Sequence, residues 1–285
     1  MALTINTNLA SMLVQRNMSS ATTALNTAIQ RMTTGYRINS AKDDAAGMAV
    51  SVKLNTQLGA YDVASQNVQM GSALLTTAEE NDNLVLGHLQ RIRDLAEQAA
   101  NGVYADDSKS AIAAEIDARI AEINRLTNSV EFNGKKLMDG NAGTVKIQVG
   151  INGDADSQID ISGALFSTTT GGTGMLNTYG VDAEGTTAGT KIVNNAATAL
   201  AQIDTAIGTV KNKITQIGAF QNRLDSAAES IEVARSNTAS ALSTVRDADV
   251  STESSNYIKA QILQQAAASL LTTANQTPSI ALNLI

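Results

Sequence analysis

No cysteine occurs in the 285 residues, so neither a disulfide framework nor a thiolate metal site is open to this chain. A single histidine, His88, makes every Ser-His-Asp arrangement depend on one residue and rules out a His-rich metal cluster. Tryptophan is absent, aromatics are limited to five Tyr and three Phe, and one proline, Pro278, serves the whole chain. A core this poor in rings is filled by Ala, Leu, Ile and Val, which suit helices packed along their length. Positive charge is scarce too. A net charge of -7 with no local cluster of Lys and Arg argues against nucleic acid, whose phosphates need a basic face. No run approaches the roughly 20 apolar residues of a membrane span, and MALTINTNLASMLVQR lacks the basic start and unbroken apolar stretch of a secretory signal peptide. The expectation is a soluble chain with no membrane insertion, exported, if at all, by another route.

What is present is helical rhythm. Met18, Ala21, Leu25, Ala28 and Met32 step by 3, 4, 3 and 4 within an apolar run from Leu3, which predicts a heptad seam ended by Gly35. A second helix is expected over about Asp43–Asn101, with Leu54, Leu58, Tyr61, Val68 and Leu75 on one stripe and Val85, Leu89, Ile92, Ala96 and Ala99 on another. Asp106 or Ser108 is placed to cap a third helix bearing Ile112, Ile116, Ile120 and Ile123. Asn133-Gly134 and Asp139-Gly140 then read as turns, and TVKIQVG and SQIDIS as short strands joined by a hairpin turn at Asn152-Gly153. Ser167 to Thr190 is dominated by Gly and Thr, reads as a surface excursion, and offers nothing from which to build a core. Beyond it Ile203, Ile207, Val210, Ile214, Ile217, Leu224, Ile231, Leu242 and Val245 lie on one 4-3 repeat, predicting a helix from about Ile192 to Asp249. Its other faces carry Asn, Thr, Ser and Asp, mediocre helix formers, so it needs a partner helix on which each buried aliphatic contributes about 1.5–3 kcal/mol. The fold class expected is mainly α: a long antiparallel helical coiled-coil bundle with a short β-hairpin region in the middle of the chain.

The ends are apolar, with Leu3, Ile5 and Leu9 at the start and Ile280, Leu282, Leu284 and Ile285 in SIALNLI. Such ends would be wet in a monomer, which predicts burial against neighbouring copies. Chemistry is sparse. Adjacent Asp43 and Asp44 on a helix would point about 100° apart, so they read as capping or solvated acids rather than a catalytic pair. DADSQID alternates acids but lacks the glycine and terminal Glu of a calcium loop. With no phosphate loop and no dinucleotide fingerprint, the chain is read as a non-enzyme without cofactor or metal.

Longer segments carry a resemblance. LTINTNLASMLVQRN, TTGYRINSAKDDAAGMAVS, LQRIRDLAEQAANG and EFNGKKLMDG, then IGAFQNRLDS, VRDADVSTE and KAQILQQAAASLLTTANQTPSIALNLI, resemble the two ends of bacterial flagellins in the correct order, over about Met1–Gly140 and Val193–Ile285. The resemblance implies a subunit that self-assembles into the flagellar filament: secreted through the flagellar type III pathway, extracellular, and served by an export chaperone, a filament cap protein and hook–filament junction proteins. It implies a terminal helical core of residues 1–42 and 251–285, in which Ile5, Leu9, Leu13, Ile262, Leu263, Leu270, Leu271, Ile280, Leu282, Leu284 and Ile285 mediate assembly. A helical rod with a β-hairpin (43–165 and 191–250) and a reduced variable excursion (166–190) complete the division. RINSAKDDAAG, through Arg37, Asn39, Lys42, Asp43, Asp44 and Gly47, resembles the connection at which subunits meet. Gln90, Arg91, Arg93, Leu95 and Glu115 match a Toll-like receptor epitope, with Asp94 and Glu97 departing from the family pattern. Residues 30–51 resemble an epitope of plant immune receptors, with Tyr36 departing. The alternative is a hook–filament junction protein; the INSAKDDAAG and QILQQA matches favour the filament.

Overall fold

The computed structural model describes residues 7–138, 143–165 and 187–282, the last six as backbone alone. Contacts group the chain into two compact units, Met1–Leu58 with Ser236–Ile285, and Gly59–Arg235. The described residues form α1 (Leu9–Thr34), α2 (Ala45–Ala100), α3 (Asp106–Ser129), β1 (Glu131–Phe132), β2 (Lys135–Lys136), β3 (Lys146–Gln148), β4 (Gln158–Asp160), α4 (Ala188–Asn194), α5 (Ala196–Arg246) and α6 (Val250–Leu282). This is the mainly helical fold with central hairpins that the spacing predicts. No helix among the described residues is long and apolar enough to cross a membrane.

In Gly59–Arg235 one repeat organises the packing. Ala64, Val68, Gly71, Leu75, Ala78, Asp82, Val85, Leu89, Ile92, Ala96 and Ala99 of α2 are all buried and alternate steps of four and three. Ala199, Ile203, Ala206, Val210, Ile217, Leu224 and Ile231 supply the buried seam of α5. Polar pairs fix its direction: Arg235 on Asp62 (2.7 Å), Gln221 on Glu79 (2.9 Å) and Arg93 on Asp204 (2.7 Å) couple rising numbers in α2 to falling numbers in α5. The helices are therefore antiparallel. α3 also runs against α2, through Arg91 on Glu115 and Arg119 near His88.

Three local expectations are corrected. α3 is not capped by Asp106 or Ser108: its N-cap is Ala105, without a side-chain bond, and Asp106 and Asp107 sit in the first turn, where negative charge suits the exposed N–H groups. The helix expected from Ile192 to Asp249 is broken at Asn195, and α5 ends at Arg246. The break lets α4 dock on α3: Gly189 N donates to Asp117 Oδ1 at 2.7 Å, and a Cβ at Gly189 would overlap the Ala113 carbonyl. Buried Ala188 and Gly189 thus take the end of the Gly/Thr-rich segment into the core; its residues 167–186 lie outside the described residues, as do Asp139 and Gly140. Third, Asn152-Gly153 does not make a tight turn. β3 and β4 pair Ile147 with Ile159, but the link between them is wide, holding Gln148 Nε2 on the carbonyls of Gly150 and Asn152 and a short 3-10 turn whose Ser157 N binds Asp154 Oδ1. Asn133-Gly134 is the tight turn, with φ of 50° and 78° between β1 and β2, as a type I′ hairpin requires.

Gly189→Ala is expected to destabilise the protein by about 1–3 kcal/mol, because backbone stands where the methyl must go. Gly208→Ala, in α5 with nothing within 4 Å of where its Cβ would stand, is expected to stabilise by about 0.5–1 kcal/mol. Urea denaturation of the two variants checks both signs.

Candidate assembly surface

The unit Met1–Leu58 with Ser236–Ile285 is built on α1 and α6. Asn8 caps α1 by accepting from Ser11 N (3.0 Å), and Gly35, at φ 74°, ends it with its N–H on the Arg31 carbonyl. Asp249 caps α6, accepting from Ser251 N (2.9 Å) and the Thr252 hydroxyl (2.7 Å), and these bonds hold its carboxyl below the usual range. The helices run antiparallel, pinned by Asn8 on the Ala274 carbonyl, Ser11 on Asn275, Gln264 on Thr22, and Arg31 on Glu253 at 3.0 Å. Glu253 is buried, so that last pair has more weight than an exposed one.

Between the helices, the buried hydrophobics among the described residues are alanines: Ala21 and Ala28 face Ala260 and Ala267, seven residues apart on each helix. Half-buried Met18 and Leu25 complete the α1 seam, but Met32 is exposed, because partly buried Arg31 takes the next seam position to reach Glu253. Small seam residues leave the large ones outside. Leu9 is 71% exposed and Ile262 58%, and Met12, Leu13, Ile258, Leu263 and Leu270 are more than half or about half exposed. Leu271 is half-buried in the seam. Of the other residues expected to mediate assembly, Ile280 and Leu282 belong to α6, described there by backbone alone, and Ile5, Leu284 and Ile285 lie outside the described residues. Large apolar side chains in water on a helix pair closed mainly by alanine are the mark of a surface that something else covers.

The stretch RINSAKDDAAG is tied down within the same unit. Arg37 N donates to the Arg246 carbonyl and its guanidinium to that of Val245, both at 2.7 Å, so a cation meets the last carbonyls of α5. Ala248 N returns a bond to Gly35, and the Arg246 guanidinium lies 4.0 Å from the centre of the Tyr36 ring. Asn39 donates to the Tyr36 carbonyl. Asp43 accepts from the Ser40 hydroxyl and from the N–H groups of Ser40 and Asn39, bonds that hold its carboxyl low. Asp44 is the N-cap of α2, taking Gly47 N at 2.9 Å. A Cβ on Gly47 would stand 2.5 Å from both Asp44 Oδ2 and Ile38 Cδ1, so glycine is what admits buried Ile38. Lys42 is exposed. Sequence reading missed Ile38 and the opposing side of this clasp, the end of α5 and the link Asp247–Asp249; the Asp-Val-Ser-Thr run at Asp249, an N-cap pattern, was the available signal.

In the other unit, Arg91 grips Glu115 through two nitrogens, at 2.9 and 3.3 Å, and that bond lowers the Glu115 carboxyl. Arg93 joins Asp204 and Glu97, so the unusual charge of Glu97 is matched on its own helix. Gln90 is exposed, whereas Leu95 is 2% exposed and faces the core. Asp154 and Asp160 of DADSQID accept from the N–H groups of Ser157 and Ser162, and no group of three metal-ligating side chains occurs among the described residues.

Asp43 and Asp249 are held below their ordinary value of 3.8, so their bonds stabilise above that pH and are lost as pH falls through the lowered values. Amide exchange measured by mass spectrometry is expected to accelerate at Asn39–Ser40 and Ser251–Thr252 below pH 3.8, after correction for intrinsic rates, and to stay constant between pH 5 and 7.

Comparison with known proteins fits this arrangement. The model of the bacterial flagellin N-terminal helical region matches residues 5–143, and that of the C-terminal helical region residues 200–285. The chain is 49% identical over 162 residues to B-type flagellin of Pseudomonas aeruginosa, a match covering 57% of this chain and 33% of that protein. It is 34% identical over 281 residues to flagellin of Halalkalibacterium halodurans, covering 99% of both. A putative flagellar hook-associated protein from Vibrio parahaemolyticus, at 16% identity and a TM-score of 0.57 over 72% of this chain and 100% of that one, shares the fold. With both helical ends matched and a full-length relative aligned throughout, the chain belongs to the bacterial flagellin family, the structural subunits of flagellar filaments, and has a short central variable region.

Proposed function

We propose that copies of this chain polymerise through the outer faces of α1 and α6, and that the resulting filament is extracellular and serves motility. The observation that carries this reading is the inversion of the α1–α6 pair, with alanine inside and Leu9, Leu13, Ile262, Leu263 and Leu270 outside. Burying each such side chain against a neighbour contributes about 1.5–3 kcal/mol before the cost of ordering. Head-to-tail contacts between different patches propagate a helical tube when the rotation from copy to copy does not close a ring. In this reading residues 1–42 and 251–285 form the filament's inner core, residues 43–165 and 191–250 the surrounding layer, and residues 166–190 project outward. The clasp of Arg37, Asn39, Asp43, Asp44 and Gly47 fixes the shape that neighbours meet, and exposed Lys42 is free to contact them.

Export by the flagellar type III pathway, a chaperone on the C-terminal region, and a cap protein and junction proteins at the ends of the polymer belong to the same proposal. So does recognition by a host Toll-like receptor through Gln90, Arg91, Arg93 and Glu115, with buried Leu95 supporting that face from beneath. The alternative is a hook–filament junction protein, which shares the architecture and does not elongate.

The test is elongation from sheared filament seeds, followed by electron microscopy. Wild-type protein is expected to form long tubes of uniform diameter. Leu13→Asp and Ile262→Asp change exposed positions, so helicity should persist with monomer stability altered by no more than about 0.5 kcal/mol, while elongation is lost. Deleting residues 279–285 should likewise leave a helical monomer that does not polymerise. Normal filaments from these variants would refute the assigned surface, and wild-type protein that stays monomeric or forms short closed rings would favour the junction reading.

A further inference from the structure

Asp82 interrupts an otherwise uncharged seam. It follows Ala78 and precedes Val85 in the buried 4-3 repeat of α2, is 1% exposed, and has its Oδ1 buried without a hydrogen-bond partner. An ionised carboxyl placed there loses hydration at Oδ1 with no donor to replace it. Two elements bring charge to bear. Glu79, one turn earlier on α2, disfavours a second negative charge; Lys213, on α5, favours it. Both have other engagements: Glu79 accepts from Gln221, and Lys213 Nζ donates to the carbonyls of Gly163 (2.8 Å) and Leu165 (3.1 Å). The turn that Lys213 binds, Ser162–Leu165, brings no charged side chain, and the nearby strand acid Asp160 is bound to Ser162 N. Burial outweighs the attraction of Lys213 and pushes the Asp82 carboxyl up to about 7.

We propose that Asp82 is a proton-operated latch in the α2–α5 seam: protonated, it lets the seam close over it, and ionised, it drives a local opening that brings water to the carboxylate. The linkage has a definite sign. In the closed seam the group holds its proton up to about 7, whereas once opened to water it returns toward its ordinary 3.8. Closure is therefore fully favoured below 3.8 and loses ground as pH rises, until both forms are ionised above 7. The opening constant should climb by up to tenfold per pH unit across this window, or about 10³-fold in all.

Amide exchange of the full-length monomer between pH 4 and 8, corrected for intrinsic rates, tests the latch. Protection of residues 78–86 and 210–217 is expected to fall by up to about 10³-fold as pH rises, and Asp82→Asn, which cannot ionise, should flatten the profile. His88→Gln should retain the wild-type fall, which separates Asp82 from the chain's one imidazole. A flat wild-type profile, an equal fall in Asp82→Asn, or loss of the fall in His88→Gln would overturn the proposal. Should Asp82→Asn not fold, infrared difference spectra of the wild type decide: one carboxylic-acid carbonyl band titrating near pH 7 supports the latch, and titration of every carboxyl near 4 refutes it.

Discussion

Antiparallel helix pairing through a 4-3 repeat is the constraint on which each unit depends. The long helices carry many Ser, Thr and Asn on their outer faces, so intrinsic propensity gives them little stability. A helix of this composition persists because one stripe is buried along most of its length. Gly59–Arg235 meets that need internally, with Leu, Ile and Val supplying most of the seam and α3, α4 and the hairpins covering further faces. In the other unit the same repeat is filled with alanine, which brings two backbones close and buries little area. One geometrical rule therefore yields a self-sufficient core in one case and an incomplete one in the other.

This contrast explains why much of the fold was legible in the sequence. Periodicity identifies α1, α2, α3 and α5 because an aliphatic at every third or fourth position has one simple use. What it misses has physical causes. Met32 fits the apolar pattern and Arg31 does not, yet the position of Glu253, 222 residues from Arg31 along the chain, turns Arg31 inward. The break at Asn195 depends on whether a short helix can lie against Ala113, a matter of backbone clearance at Gly189 that no periodicity encodes. Asp82 was legible after all: continuing the repeat through Ala78 and Val85 places it inside, and only the habit of reading charge as surface hides it.

The candidate surface was legible as composition more than as contacts. Apolar termini and outward-facing Leu and Ile announce an interface, yet RINSAKDDAAG proves to be engaged first with its own chain. Arg37 reaches the carbonyls that end α5, Asp44 the Gly47 N–H in the first turn of α2, and Asp43 its own preceding turn. Charge in this stretch serves to close exposed helix ends, a need that sequence spacing marks only in part.

Alanine seams are smooth. Knobs of one methyl group offer little resistance to an axial slip of α1 along α6, and a shift of seven residues would again set alanine against alanine. Register in this helix pair is accordingly held by its polar pins, above all Arg31 and Glu253. Slipping one heptad would leave a buried carboxylate without its counter-charge, so a single ion pair sets the sliding position of a surface that every identical neighbour would have to match.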